Sequence, residues 1–563
     1  MEGSDRSIDA RSPGDPRAWS PWLARAAIAL TAAPLAWVGI RSVHQDRVLD
    51  VSDLWETTLA TMSAEHGRQL VGAWSRVGVF HLGPGWFYWA APFLAVARDR
   101  PIGLMAASAA LGVVCLVLIG QTVLRAMGAA AACIGAVVTV LAVHQLGLPG
   151  LVAPWNPTVL ILPTAAGLLL AARSLQRGTV GAAAPALVLG AFVAQAHLAA
   201  ILVGLAIEVA ALAGLVVHRR GAGTRLRPSR LGLVAACALL PWAPVALDQA
   251  TGRGNAGSVV EYGALGRVDG HEVGRAPGYF TDESPGGAVR SMASIASLGD
   301  PTTASWAGFD LHAGVVHGPD AGTDLTFALL VLGAALGARP WRRRTAALGD
   351  AALPALLCRL GLAALALEAV SAIAVRHDYR TYLVASAAGV GMATWLGIAL
   401  AAAVEVRARI AARAHPSTDA RPAPALALAV GSVVAVALVA TQLGSTFPTF
   451  PTPVRQTSAV DRLDRRLDRL GVGDGPVVVH DDIFRATMPA SMQLVWELHL
   501  RGRTVAVRGR LEEHFGDWTS RAPARGPTIF LLPPGAQRPA GCRLVTRYLD
   551  QELCLRPGRS AGS

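Results

Sequence analysis

The sequence predicts an α-helical polytopic membrane protein of about eleven transmembrane helices, followed by a small C-terminal α/β domain. Two observations predict the membrane part. Of 563 residues, 53% are hydrophobic and only 16% are charged. Apolar runs of about 18–22 residues also recur, the length that crosses a bilayer as a helix. A third observation predicts the soluble part: beyond residue 458 the long apolar runs give way to short strand-like runs alternating with helix-like ones.

The spans are expected near 22–40, 101–123, 128–147, 157–172, 180–197, 198–217, 231–247, 324–338, 351–375, 381–404 and 424–443. Only Gln195 and His197 mark the boundary between the fifth and sixth. The stretch 83–97 is apolar but short, so it reads as a re-entrant or interfacial helix. The first span has basic flanks, is long, and lacks a small-residue cleavage site, so it is expected to remain as an anchor. Cys115, Cys133, Cys237 and Cys358 fall in spans, where a free thiol behaves as a small hydrophobe.

Charge placement orients the spans. The net charge is +12 and the pI about 10.4. The arginines gather in short alternate loops: Arg173 and Arg177; Arg219, Arg220, Arg225, Arg227 and Arg230; Arg339, Arg342, Arg343 and Arg344; Arg407, Arg409 and Arg413. Short basic loops stay in the cytoplasm. The N-terminal tail 1–21 is therefore expected inside, with loops 41–100 and 248–323 and everything after 444 outside. The basic charge is a topology signal and does not point to nucleic acid.

The Ser/Thr/Pro-rich stretch 444–458 reads as a linker, and 459–563 as the extracytoplasmic domain. Its opening run places Val460, Leu463, Leu467 and Leu470 on one helical face. Strands are expected at 476–480, 504–507, 528–532, 543–548 and 552–555, with a helix at 490–500 between the first two. His480, Asp481 and Asp482 end the first strand, as a site or as a polar loop. Cys542 and Cys554 lie in this exported part, where a disulfide between them or two free thiols are both open. There is no CxxC and no zinc spacing.

The chemistry is expected in the first large loop. Asp50, Asp53, Glu56 and Glu65 lie between residues 48 and 65. About thirty residues after Asp53 comes a Gly/Pro-broken aromatic segment at 74–92. A carboxylate at a membrane face can take a proton from a hydroxyl, and Trp and Tyr suit the interface beside it. Asp53 is the first candidate base and Asp50 the second. Ser52 or Asp53 could equally cap a helix from Leu54. Glu56, one turn on, would support Asp53 or pair with Arg41 or Arg47. Arg76 and His81 are candidates for a lipid phosphate, or tie the broken segment to a neighbouring helix. Arg376, Tyr379 and Arg380, at the outer ends of the ninth and tenth spans, suit a phosphate or simple interfacial anchoring. Glu208 and Glu368 are intramembrane acids, while Gln195 and His197 read as helix-packing hydrogen-bonders.

Five motifs carry a resemblance: Ser-Asp-Leu-Trp-Glu at 52–56, Trp-Ser-Arg-Val-Gly-Val-Phe-His-Leu-Gly-Pro-Gly-Trp-Phe-Tyr at 74–88, Pro-Trp-Asn-Pro at 154–157, Gln-Ala-His-Leu at 195–198, and Pro-Trp-Ala-Pro-Val-Ala-Leu-Asp-Gln at 241–249 with Gly-Asn soon after. Together they resemble the GT-C superfamily of glycosyltransferases, and among them the family-39-like membrane proteins of actinobacteria. The resemblance covers roughly residues 20–400 plus the tail domain. It departs from the pattern at Leu82, where the family usually has Pro, and in lacking an adjacent acidic pair.

The resemblance implies an extracytoplasmic site with a catalytic Asp in the first loop. It also implies a polyprenyl-phosphate sugar donor, an envelope glycan, lipid or protein acceptor, and inversion by direct displacement. No Gly-rich nucleotide loop is present, which argues against a nucleotide-sugar donor. No cofactor is specified, and a divalent cation is left open. The competing readings are a transporter or flippase of a lipid-linked precursor using Glu208 and Glu368, and an inactive assembly protein that binds the lipid-linked sugar. The paired broken helices common in transporters are not apparent in the sequence.

Overall fold

A computed structural model describes residues 16–45, 48, 53–75, 77–222, 227–268, 271–272, 285–298, 321–339, 352–374, 381–413, 457–470, 472, 476–481, 488–509, 511–514 and 526–558. Asp50, Arg76, Arg376, Tyr379, Arg380, Asp482 and the span expected at 424–443 lie outside the described residues.

Eight helices among the described residues are long and apolar enough to cross a membrane, and Val180–Ala196 and Asp324–Gly337 are shorter apolar helices. The chain is a multi-pass membrane protein. In order, the first half comprises α1 (Pro16–Gln45), α2 (Leu54–Glu65), α3 (Gly85–Val96), α4 (Ile102–Met127), α5 (Ala129–Leu146), α6 (Leu148–Val152), α7 (Asn156–Val159), α8 (Ile161–Arg177), α9 (Val180–Ala196) and α10 (Ile201–Ala222). The second half of the membrane part comprises α11 (Pro228–Leu239), α12 (Ala243–Thr251), α13 (Asn255–Leu265), α14 (Pro285–Ala296), α15 (Ala321–Gly337), α16 (Ala352–Ala374) and α17 (Ser386–Arg413).

The centre of the bundle is α8, which packs against α4, α9, α10, α16 and α17. Its apolar residues are buried nearly all round, as a helix surrounded by protein requires. Helices α9 and α10 meet through small residues. A Cβ on Gly204 would stand 2.5 Å from the Gly190 carbonyl oxygen, so the two backbones touch there. The turn between them falls at His197, which is extended at φ −151° and ψ 137°. The span expected at 231–247 is broken at Pro241 into α11, a 3-10 turn and α12. Only 17% of its apolar window is buried, which places it at the edge of the bundle.

Within the loop 41–100, residues 53–75 and 77–100 are folded. Helix α2 is buried along most of its length, and α3 packs against it. With 12 residues, α3 is about 18 Å long, too short to span.

The C-terminal part is a five-stranded mixed sheet of β3 (Val477–Asp481), β4 (Val505–Gly509), β5 (Thr528–Leu532), β6 (Arg543–Tyr548) and β7 (Gln551–Arg556); β1 (Arg267–Val268) and β2 (His271–Glu272) form a separate two-stranded ribbon. The order is β4-β3-β5-β7-β6, with β3 parallel to β4 and β5, and β7 antiparallel to both β5 and β6. Cys542 and Cys554 are joined by a disulfide, their Cα atoms 5.7 Å apart.

The helix Thr457–Arg469 buries Val460, Leu463 and Leu467 against the sheet. Leu470, expected on the same face, is 41% exposed, because the helix ends one residue earlier. Asp481 is buried and accepts a hydrogen bond from Ser491 Oγ at 2.6 Å, and His480 packs against Phe530. These two act in the domain's own structure.

Candidate active site

Asp53 stands at the N-cap of α2, with φ −105° and ψ 15°. Its side chain makes no capping hydrogen bond to the helix. Instead Oδ2 accepts the indole N–H of Trp155 at 2.6 Å. An indole nitrogen only donates, so this oxygen is held as an acceptor. Trp155 is buried between two prolines, just before α7. The carboxylate is therefore aimed by a side chain from across the bundle and is not spent on the cap.

Glu56 is buried one turn further along, and its Oε1 accepts the backbone N–H of Trp74. Burial, and then the neighbouring Asp53, hold the Glu56 carboxyl well above the usual carboxylate range, while the Trp74 amide opposes this. Asp53 and Glu56 thus have different surroundings on one helix, an indole donor against a buried amide. Among the described residues no group of three or more His, Cys, Asp or Glu comes together to hold a metal ion.

The aromatic segment forms a tight hairpin. Trp74 and Phe80 make an antiparallel bridge, the Ser75 carbonyl accepts from the Gly78 amide and the Val79 carbonyl from the Ser75 amide, and the φ of +89° at Gly78 suits glycine. The hairpin is clamped from α13. Asn255 Oδ1 accepts from the Phe80 amide at 2.9 Å, and its Nδ2 donates to the carbonyls of Phe80 and His81, each at 3.3 Å. Asp248 in turn accepts from the backbone amides of Arg253 and Asn255, at 3.1 and 2.9 Å. The Arg253 guanidinium lies over the Phe80 ring at 5.0 Å.

His81 is buried, and its Nδ1 accepts the Leu198 amide at 3.1 Å. Its ring lies 4.7 Å from that of His197. Burial, and then His197, push its pKa well below the usual range, so it is a neutral imidazole with the proton on Nε2. Its Nδ1 ties the hairpin to the turn just before α10. Gln195 Nε2 donates to the Pro241 carbonyl, and Trp242 donates to Glu208, so the α9–α10 junction also holds the break before α12. Glu368 is fully buried in α16.

All five motif segments singled out in the sequence therefore meet. Asp53 joins Trp155, Glu56 joins the hairpin, His81 joins the α9–α10 turn, and Asn255 with Asp248 joins the hairpin to α12. The sequence reading assigned no role to Trp155, Asp248 or Asn255. Proline on both sides of Trp155 and the short Asp-Gln…Gly-Asn run were the available signals.

The tail domain docks along α2. Trp496, 1% exposed, packs its ring 4.9 Å from Trp55 and donates its indole N–H to the Asp99 carbonyl at 2.6 Å. Arg98 and Asp99 hold this turn in the left-handed region, at φ 58° and 59°. Beside it, burial, then the Asp99 charge and its hydrogen bond, raise the Glu65 carboxyl to about 7, against a smaller lowering by His66. His499 is lowered by burial, with Asp99 opposing and His66 adding.

The signs are opposite. A raised carboxyl favours docking while the proton is held, fully below about 4.5, and loses that contribution as pH climbs to about 7. A lowered imidazole favours docking while neutral and loses it as pH falls below 6.5. With intrinsic exchange divided out, protection of the helix Met488–Leu500 should therefore fall between about pH 6.5, where the His499 contribution is complete, and about pH 7, and Glu65→Gln should remove that loss. Protection that stays constant across this range in the wild type would contradict the assignment.

No protein-family model matches the chain, and no curated protein sequence matches it. Solved structures do. ArnT from Cupriavidus metallidurans in the apo state aligns over 96% of this chain and 98% of its own, with TM-score 0.51 and 11% identity. The same protein bound to undecaprenyl phosphate covers 97% and 100%, with TM-score 0.48 and 13% identity. An oligosaccharyltransferase from Archaeoglobus fulgidus covers 88% and 65%, with TM-score 0.36 and 13% identity. On the end-to-end match to the apo structure, the chain has the GT-C membrane fold.

Proposed function

We propose that the chain is a membrane glycosyltransferase. It moves a sugar from a polyprenyl-phosphate donor to a glycan, lipid or protein acceptor of the cell envelope, at the face that carries the tail domain. The observation that carries this is the Asp53 carboxylate, turned away from its own helix and held by Trp155 where the motif segments converge. The likeness in fold to a protein solved with undecaprenyl phosphate supports the donor class.

Asp53 accepts the proton of the acceptor hydroxyl as its oxygen attacks the anomeric carbon. The bond from that carbon to the phosphate oxygen breaks, and the polyprenyl phosphate leaves with the electron pair. Attack opposite the leaving group inverts the anomeric centre. Asp50 is the alternative base, and Arg76, Arg376, Tyr379 and Arg380 are proposed for the phosphate. His81 contributes as a neutral donor through Nε2 and as the strut that positions the hairpin. The test is sugar transfer by purified protein from a panel of polyprenyl-phosphate sugars. Movement of an intact lipid-linked precursor across a vesicle without transfer would instead make it a flippase.

The reading requires an exported tail and a cytoplasmic N-terminus. Arg547, exposed on β6, tests this. A cysteine placed there should react with an impermeant maleimide in intact cells. Labelling only after the membrane is opened would put the site on the wrong side.

A further inference from the structure

We infer that the tail domain carries a second site, a groove that binds an anionic glycan chain, such as one bearing carboxylate or phosphodiester groups. The groove, about 430 Å³, runs between the helix Thr457–Arg469 and strand β6. Arg462, Arg465, Arg466 and Arg469 line one wall and Arg543 the other, with no acid among the lining residues. The first four are spaced i, i+3, i+4 and i+7, which makes one stripe about 10 Å long on the helix.

The acids of that helix are on another face. Asp461 pairs with Arg501 at 2.7 Å, and Asp464 and Asp468 each pair with Arg503 at 2.6 Å. Three carboxylates are thereby consumed inside the domain, while Arg462 makes its bond to the neutral Thr546 hydroxyl. Among the described residues no carboxylate pairs with Arg465, Arg466, Arg469 or Arg543. Like charges this close repel one another, so the groove is complete only with an anion in it. Guanidinium groups suit carboxylate and phosphate in fork geometry.

Two features favour a chain over a flat bilayer surface. The arginines face each other across a concavity, and Leu544, 46% exposed, gives the strand wall an apolar patch for sugar-ring faces. The strand wall is also stapled: Cys542 precedes Arg543 in sequence and Cys554 precedes Leu555, another lining residue. The disulfide thus ties the start of β6 to β7 within that wall, as a preorganised site needs.

The test uses the full chain in phosphatidylcholine nanodiscs, with fluorescent oligogalacturonate as probe and a neutral malto-oligosaccharide as control. Wild type should bind the first and not the second. R465Q/R466Q/R469Q should weaken binding on the order of tenfold or more, and R125Q/R219Q/R220Q, with the same loss of charge at helix ends of the membrane part, should not. Arg543→Gln, on the opposite wall, gives a second reading that leaves the helix intact, and binding should weaken there too. Equal binding by wild type and the triple variant, or none by wild type, would overturn the inference. Binding only to phosphatidylglycerol vesicles, lost in the triple variant, would assign the groove to the bilayer and overturn it as well. No donor is present in the assay, so the outcome is separate from that of the transfer reaction.

Discussion

Asp53→Asn should lower transfer by about 10²–10⁴-fold, the usual worth of general base catalysis. The amide keeps the size of the side chain and an oxygen to accept from Trp155, but it cannot take the proton. Donor affinity should be unchanged, since the lost interaction belongs to the transition state. Glu56→Gln should have little effect. Burial and Asp53 already favour the protonated form of Glu56, and the amide oxygen still accepts from Trp74. Trp155→Phe keeps an aromatic ring but removes the N–H that donates to Asp53, so kcat should fall without a change in donor-substrate binding. Rates and donor titrations on the three variants check this together. Near-normal turnover in Asp53→Asn with a dead Asp50→Asn would move the role to Asp50.

Asn255→Ala should be the most damaging change outside the reacting groups. It strands the buried Phe80 amide and two carbonyls, which costs about 1–3 kcal/mol. The hairpin it releases is the one whose Trp74 amide holds Glu56 and whose His81 holds the α9–α10 turn. A lowered Tm and lost transfer should appear together. Unchanged thermal unfolding with normal turnover would show that the clamp does not organise the site.

Length and periodicity made most of the fold legible. The strands Thr528–Leu532 and Arg543–Tyr548 fall where local alternation and bounding turns place them. The α9–α10 break sits at His197, where Gln195 and His197 interrupt the middle of a long apolar run. The acidic loop and the aromatic segment were legible as neighbours for a similar reason, being close in sequence.

What joins them was not legible. Trp155 reaches Asp53 across 102 residues, Asn255 reaches Phe80 across 175, and Trp496 reaches Asp99 across 397. Such pairings depend on how helices pack, and local pattern carries no information about register between distant segments. The choice between a cap and a base for Asp53 had the same limit. Both readings fit its position before Leu54, and only the partner from a distant segment distinguishes them. The segregation of arginines and aspartates on Thr457–Arg469 was written in the spacing, but its meaning required Arg501 and Arg503 to fold back onto the acids.

The most direct measurement is a structure of the purified protein with a polyprenyl-phosphate sugar bound. The account predicts the anomeric carbon beside the Asp53 carboxylate, with the Trp155 hydrogen bond intact and the hairpin 74–80 along one side of the sugar. A sugar bound away from α2, against Glu208 or Glu368 within the spans, would contradict it.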